Sequence, residues 1–162
     1  MPGGVRHLTP SPRRPPLRFL SLFAGVGGFD LPLIRLGMEC VGQVELDPGC
    51  RSVLARHFPE VPRHDDIRTT TGWWHTRGRP AVDLACAGFP CQDLSVAGRR
   101  AGLAGARSGL FFDLAGVLDA VSPGWVLLEN VPGLLSSNRG AGLRGGPGNA
   151  GRPRVRRFLA GA

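Results

Sequence analysis

Leu17-Arg18-Phe19-Leu20-Ser21-Leu22-Phe23-Ala24-Gly25-Val26-Gly27-Gly28 runs from an apolar segment directly into three closely spaced glycines. An apolar run of this length, broken only by Arg18 and Ser21, reads as a buried strand, here Leu17 to Phe23. The glycines that follow let the chain take positive φ angles and let a ligand approach the backbone. A helix is expected from Gly27 to Leu36, ended by Gly37. Such a turn also serves simply as a tight strand-to-helix connection, so its meaning depends on what surrounds it.

Working outward, the pattern repeats. A second strand is expected from Glu39 to Leu46, and a helix from Pro48 to His57 with Pro48 in its tolerated first turn. Asp66 to Thr69 reads as a short strand end, followed by a loop through Trp73 and Trp74 to the Arg77-Gly78-Arg79-Pro80 turn. Then come a strand from Val82 to Ala87, a long loop, a helix from Leu110 to Val121 and a strand from Trp125 to Leu128. Strand and helix in alternation imply an α/β fold, a parallel sheet with helices on both faces. Ligands in such sheets bind beyond the carboxyl ends of the strands.

The chain has 162 residues and a formal charge of +8, with a pI near 11.3. That charge would ordinarily suggest a nucleic-acid partner. However, six arginines and no acid fall in 139–162, and all twenty basic residues are Arg, a composition that points to a GC-rich genome. Cys40, Cys50, Cys86 and Cys91 form no Cys-x-x-Cys pair and have no His at ligand spacing, so no metal site is expected. No apolar run is long enough for a membrane span, and the Pro/Arg-rich start lacks the apolar stretch of a secretory signal. A reducing cytoplasm is the expected location, with Cys91 as a free thiol.

Three motifs carry the chemistry. Phe23-Ala24-Gly25-Val26-Gly27-Gly28 lacks the Gly-x-Gly-x-x-Gly spacing of a dinucleotide loop, and Glu45 ends the next strand, where an acid can accept ribose hydroxyls. Gly88-Phe89-Pro90-Cys91-Gln92 presents a thiol on a tight loop after an apolar strand. Glu129-Asn130-Val131 puts a carboxyl group at the end of another strand. In order and spacing, these motifs resemble those of the DNA (cytosine-5) methyltransferases, over residues from about Leu17 to Arg139.

The resemblance implies a Rossmann-like fold that binds S-adenosylmethionine. Phe23, Gly25, Val26, Gly27 and Gly28 would cradle the cofactor, with Glu45 on the ribose and Leu46 beside it. Asp66 and Ile67 would meet the adenine, with Asp65 as the competitor for Asp66, and Leu110 would add an apolar wall. Cys91 would be the nucleophile on a loop fixed by Pro90, Glu129 would activate the ring and Asn130 would brace the loop. Since the ring must be attacked on its face, double-stranded DNA would have to release a flipped cytosine. Residues 95–107 resemble the loop that closes over flipped DNA, with Gln92, Ser95, Arg99, Arg100 and Arg107 as DNA contacts.

Beyond Arg139 the family pattern should continue with a helix, two strands, an Arg-containing motif, a target-recognition domain and a returning Asn-containing segment. Gly140 to Ala162 offers Gly, Arg, Pro and Ala instead. The expected division is a disordered leader over 1–16, a partial catalytic domain over 17–139 and an out-of-frame, disordered tail over 140–162, leaving the parallel sheet incomplete. Synonymous codons exist for Gly142 to Ala160 that, read one nucleotide later, encode DFGAVLGTLADLGYGVSWR, so a frameshift is expected. The chain would be about half the length of a complete enzyme and impaired on its own. The competing expectations are a non-catalytic cofactor- or DNA-binding fragment and one half of a split enzyme completed by a second polypeptide. The leading expectation is the amino-terminal part of a bacterial enzyme of restriction-modification or orphan type.

Overall fold

A computed structural model describes residues 15–88, 108–129 and 158–161. The elements are β1 (Arg18–Leu22), α1 (Asp30–Arg35), β2 (Glu39–Val44), α2 (Pro48–His57), β3 (Arg63–His64), α3 (Thr70–Thr76), β4 (Leu84–Gly88), α4 (Ser108–Val121), β5 (Trp125–Glu129) and β6 (Phe158–Gly161). The six strands form one sheet in the order β3-β2-β1-β4-β5-β6, and every pairing is parallel. Strand order reverses between β1 and β4. That reversal opens the crevice in which parallel sheets bind ligands.

Period-2 alternation gives the sheet two different faces. Leu20 and Leu22 of β1, Val44 of β2, Ala85 and Ala87 of β4 and Val126 of β5 share one buried cluster with Trp74 of α3 and Leu114, Val117 and Leu118 of α4. Full burial of an aliphatic side chain of this size stabilises by about 1.5–3 kcal/mol relative to exposure. The alternating residues Ser21 and Gln43 point the other way, where both hydrogen-bond Asp30 at the start of α1. α1 has only six residues, too few to persist without such anchoring.

Four expectations are corrected. The helix after the glycine turn starts at Asp30 rather than Gly27, because Gly25 and Gly27 both take positive φ and keep 25–29 a turn. The strand expected at Asp66 to Thr69 lies instead at Arg63–His64, and 67–69 is a 3-10 turn. Asp66 accepts from the Arg68 N–H at 2.9 Å and the Thr70 hydroxyl at 2.8 Å, which favours the turn over extension. The Trp73–Trp74 stretch is helical, since Thr70 and Trp74, four apart, are both buried on one helix face. Finally, Phe158–Gly161 lie beside β5 as a parallel strand, within a tail expected to have no structure. A four-residue apolar run, Phe158-Leu159-Ala160-Gly161, suffices to pair an otherwise open strand edge.

Candidate functional site at the carboxyl ends of the strands

β1 ends in a strained exit: Phe23 has φ +51°, an uncommon value for a bulky residue, and its side chain packs on the core cluster. The turn that follows is tied down in three places. Ala24 N donates to the Val44 carbonyl at 3.0 Å and Gly27 N to the Ala24 carbonyl at 2.9 Å. Gly25 N donates to Oε2 of Glu45 at 2.7 Å. At Gly27, with φ +92°, a Cβ would lie 2.7 Å from Phe58, the residue just after α2, so only glycine fits. At Gly25 and Gly28 a Cβ would meet nothing within 4 Å, so the backbone there faces open space.

Glu45, just past β2, is the hinge of this arrangement. Its Oε1 accepts from Asp47 N at 2.8 Å while Oε2 holds Gly25. Each carboxylate oxygen keeps a further lone pair for a ligand hydroxyl. Arg51 of α2 braces the same segment by donating to the carbonyls of Glu45 and Leu46 at 2.9 and 2.5 Å. Asp47 caps α2 by accepting from Cys50 N at 2.7 Å. Val26 and Leu46 are 60% and 64% exposed, so two apolar side chains border the turn without being buried by the fold.

Beyond β3, the Arg68 guanidinium chelates both oxygens of Asp66. Hydrogen bonding to Arg68 holds the Asp66 carboxyl below the usual carboxylate range. Asp65 is exposed, with only a 3.8 Å approach to His64. Ile67 is buried in the core cluster and Leu110 packs against it.

The other half of the crevice is built by β4 and β5. Gly88 and Glu129 are register partners across that ladder. A Cβ on Gly88 would lie 3.4 Å from the Phe23 carbonyl oxygen and 3.6 Å from Oε2 of Glu129. The strand ends that carry the three sequence motifs therefore meet at the topological switch point. Glu129 itself is exposed. Pro90, Cys91, Gln92, Ser95, Arg99, Arg100, Arg107 and Asn130 lie outside the described residues.

Cys40 and Cys86 behave as packing groups. Burial, reinforced by the nearby Asp30 carboxylate, pushes Cys86 up to about 12 and Cys40 higher still. Asp30, Gln43 and Arg51 were missed by sequence reasoning. For Asp30 a signal existed: an acid sits between the glycine turn and an apolar stretch, where a solvated residue would be out of place.

No metal-holding group of His, Cys, Asp or Glu occurs among the described residues, and none of their helices is long and apolar enough to cross a membrane. Residues 17–145 match the model of a family described as C-5 cytosine-specific DNA methylase. The chain is 41% identical over 131 residues to the type II methyltransferase M2.BsuMI of Bacillus subtilis, covering 78% of this chain and 32% of that protein. It is 39% identical over 124 residues to M.HhaI of Haemophilus parahaemolyticus, covering 76% of this chain and 36% of that protein. Among solved structures it is similar to a putative DNA modification methyltransferase encoded within an Escherichia coli prophage, with TM-score 0.61 and 26% identity over 79% of this chain and 35% of that one. It is also similar to a Spodoptera frugiperda DNMT2 variant, with TM-score 0.57 and 26% identity over 76% and 38%. The matched stretch spans about a third of the length of these curated relatives.

Proposed function

Given that the chain belongs to the C-5 cytosine-specific DNA methylase family, we propose that it forms the cofactor-binding and nucleophile-bearing part of a DNA cytosine-5 methyltransferase. The observation that carries this reading is the meeting of Phe23, Gly88 and Glu129 at the switch point. Cys91 follows Gly88 by three residues, and chain length limits that span to at most about 11 Å.

The residues present suit an adenosyl group. Gly25 and Gly28 leave their side of the turn open, Glu45 offers acceptor lone pairs, and the exposed Val26 and Leu46 supply apolar contact. Asp66 and Ile67 take the adenine side and Leu110 the adjoining wall in this proposal. Bound S-adenosylmethionine supplies an electrophilic sulfonium methyl, which carbon 5 of cytosine can take only once that carbon is electron-rich. Cys91 makes it so by adding as thiolate to carbon 6 of a flipped cytosine. Glu129 hydrogen-bonds the ring nitrogen and exocyclic amine, drawing density from carbon 6 and favouring the addition. When carbon 5 later gives up its proton to a solvent base, the C6–S bond breaks and Cys91 leaves as thiolate. Asn130 and Pro90 hold the two loops, and Gln92, Ser95, Arg99, Arg100 and Arg107 face double-stranded DNA.

Because the chain spans about a third of its relatives, target reading and full turnover require polypeptide beyond it. The proposal keeps the division into a leader, a partial catalytic domain over 17–139 and a distinct tail. It places the enzyme in a cytoplasmic restriction-modification setting.

The test is titration of the chain with S-adenosylhomocysteine by calorimetry, followed by incubation with 5-fluorocytosine DNA and S-adenosylmethionine. Saturable binding, and a denaturant-resistant DNA adduct lost in Cys91→Ala once the missing region is supplied, is the expected result. A chain that binds no S-adenosylhomocysteine, or an adduct that survives Cys91→Ala, overturns the reading.

A further inference from the structure

Asp30 is fully buried, yet no ion pair reaches it among the described residues. Its Oδ2 accepts from the Ser21 hydroxyl at 2.9 Å, and its Oδ1 accepts from Gln43 Nε2 at 2.7 Å and from the Cys40 thiol at 3.7 Å. Burying a carboxyl group is costly even when it is hydrogen-bonded, and an apolar residue of similar size would cover the sheet at lower cost. Such a group is informative for where its bonds go. Ser21 lies on β1 two residues before Phe23, and Gln43 lies on β2 two residues before Glu45. Asp30 itself begins α1 directly after the glycine turn, and the N-cap position Phe29 makes no side-chain capping bond.

The turn is thus gripped by two carboxylates. Glu45 holds Gly25 at the ligand side, and Asp30 ties the far end of the turn to both strands beneath it. We propose that Asp30 is a positioning residue that presets the glycine turn and Glu45 for the adenosyl ligand by locking the start of α1 to Ser21 and Gln43. The ligand half of this inference rests on the proposed function above; the placement of the turn does not.

The hydrogen-bond chemistry separates two substitutions. Asp30→Asn can keep its carbonyl oxygen on Gln43 Nε2 and turn its amide toward the Ser21 hydroxyl, which accepts as well as donates. Asp30→Ala removes both acceptors and unties the start of α1 from β1 and β2, while Cys40 retains the Gly42 carbonyl as acceptor at 3.4 Å.

Two readouts on the wild-type chain, Asp30→Ala and Asp30→Asn test the proposal. The first is amide hydrogen exchange resolved to residues 24–31 and to the strands. The second is the dissociation constant of S-adenosylhomocysteine. In Asp30→Ala the Gly25, Gly27 and Leu31 amides should exchange at least tenfold faster while β4 and β5 amides hold, with affinity at least tenfold weaker. Asp30→Asn should keep both within about threefold of wild type. Unchanged exchange in the turn of Asp30→Ala, acceleration spread equally over all strands, or an Asp30→Asn chain as impaired as Asp30→Ala would each overturn the proposal. If the wild-type chain binds no S-adenosylhomocysteine, the cofactor reading fails, while the exchange pattern still decides whether Asp30 sets the turn.

Discussion

Gly88 and Glu129 are paired across the β4–β5 ladder so closely that a methyl group on Gly88 would touch Oε2 of Glu129 at 3.6 Å. The Phe23 carbonyl closes the same space from β1 at 3.4 Å. A small residue at 88 is therefore what allows three strand ends to share one crevice. Gly88→Ala should cost under about 1 kcal/mol, since its contacts are ordinary van der Waals distances. Gly88→Leu should cost about 1–3 kcal/mol through overpacking and displacement of the Glu129 side chain. Urea denaturation of the two variants checks the contrast.

Glu45→Gln places an amide where two backbone N–H groups, of Gly25 and Asp47, now donate. One oxygen cannot serve both, so one donor is left facing an N–H group. A stability loss of about 1–3 kcal/mol is expected, with at least a tenfold loss of S-adenosylhomocysteine affinity. Thermal denaturation and calorimetry on the same sample separate the two effects; full affinity in Glu45→Gln would refute a ribose-binding role.

Gly27→Ala fails for two distinct reasons, the φ of +92° and the 2.7 Å approach to Phe58. Phe58→Ala removes the second and leaves the first. The double variant should therefore bind S-adenosylhomocysteine more weakly than Phe58→Ala alone. Equal affinity would mean that the clash, and not the backbone conformation, demands glycine.

Asp66 titrates lower in the folded chain than in the unfolded one, chiefly through its hydrogen bonds to Arg68. A lowered carboxylate contributes stability above the unfolded pKa, near 3.9, and loses it as pH falls through the folded value. The pair is exposed, so screening keeps the contribution small. Asp66→Asn should be slightly less stable than wild type at pH 7 and indistinguishable from it near pH 2, as read from denaturation midpoints at both pH values.

Cys86, buried and pushed up to about 12, carries about a thousandfold less thiolate at pH 8 than an ordinary cysteine. Iodoacetamide should leave Cys86 and Cys40 unmodified in the native chain and label both after denaturation. Peptide mapping by mass spectrometry reads the difference. Rapid native labelling of Cys86 would show that the face of the sheet bearing Ser21 and Gln43 opens readily.

Much of this was legible in the residues because it is local. The α2 helix spans Pro48–His57 as its proline start indicated, and β1, β2, β4 and β5 fall within two residues of their apolar runs. The Phe23-x-Gly25-x-Gly27-Gly28 turn, Glu45 at its acceptor position and Glu129 at a strand end follow from chain order alone. The 3-10 turn and α3 were misread because Asp66 and Thr70 bond locally and Trp74 earns its place only by burial against α4.

The amino-acid sequence by itself determined the alternation of strand and glycine-led turn, the family, and the types of group available for chemistry, since each depends on residues near one another along the chain. Only the tertiary structure decided that Gly25 is held by Glu45, that Gly88 lies against Glu129 and that a buried Asp30 joins β1, β2 and α1. Those pairings span up to 41 residues or cross strands whose order is not their order in sequence. Strand register and side-chain burial select them, and neither exists until the sheet has formed.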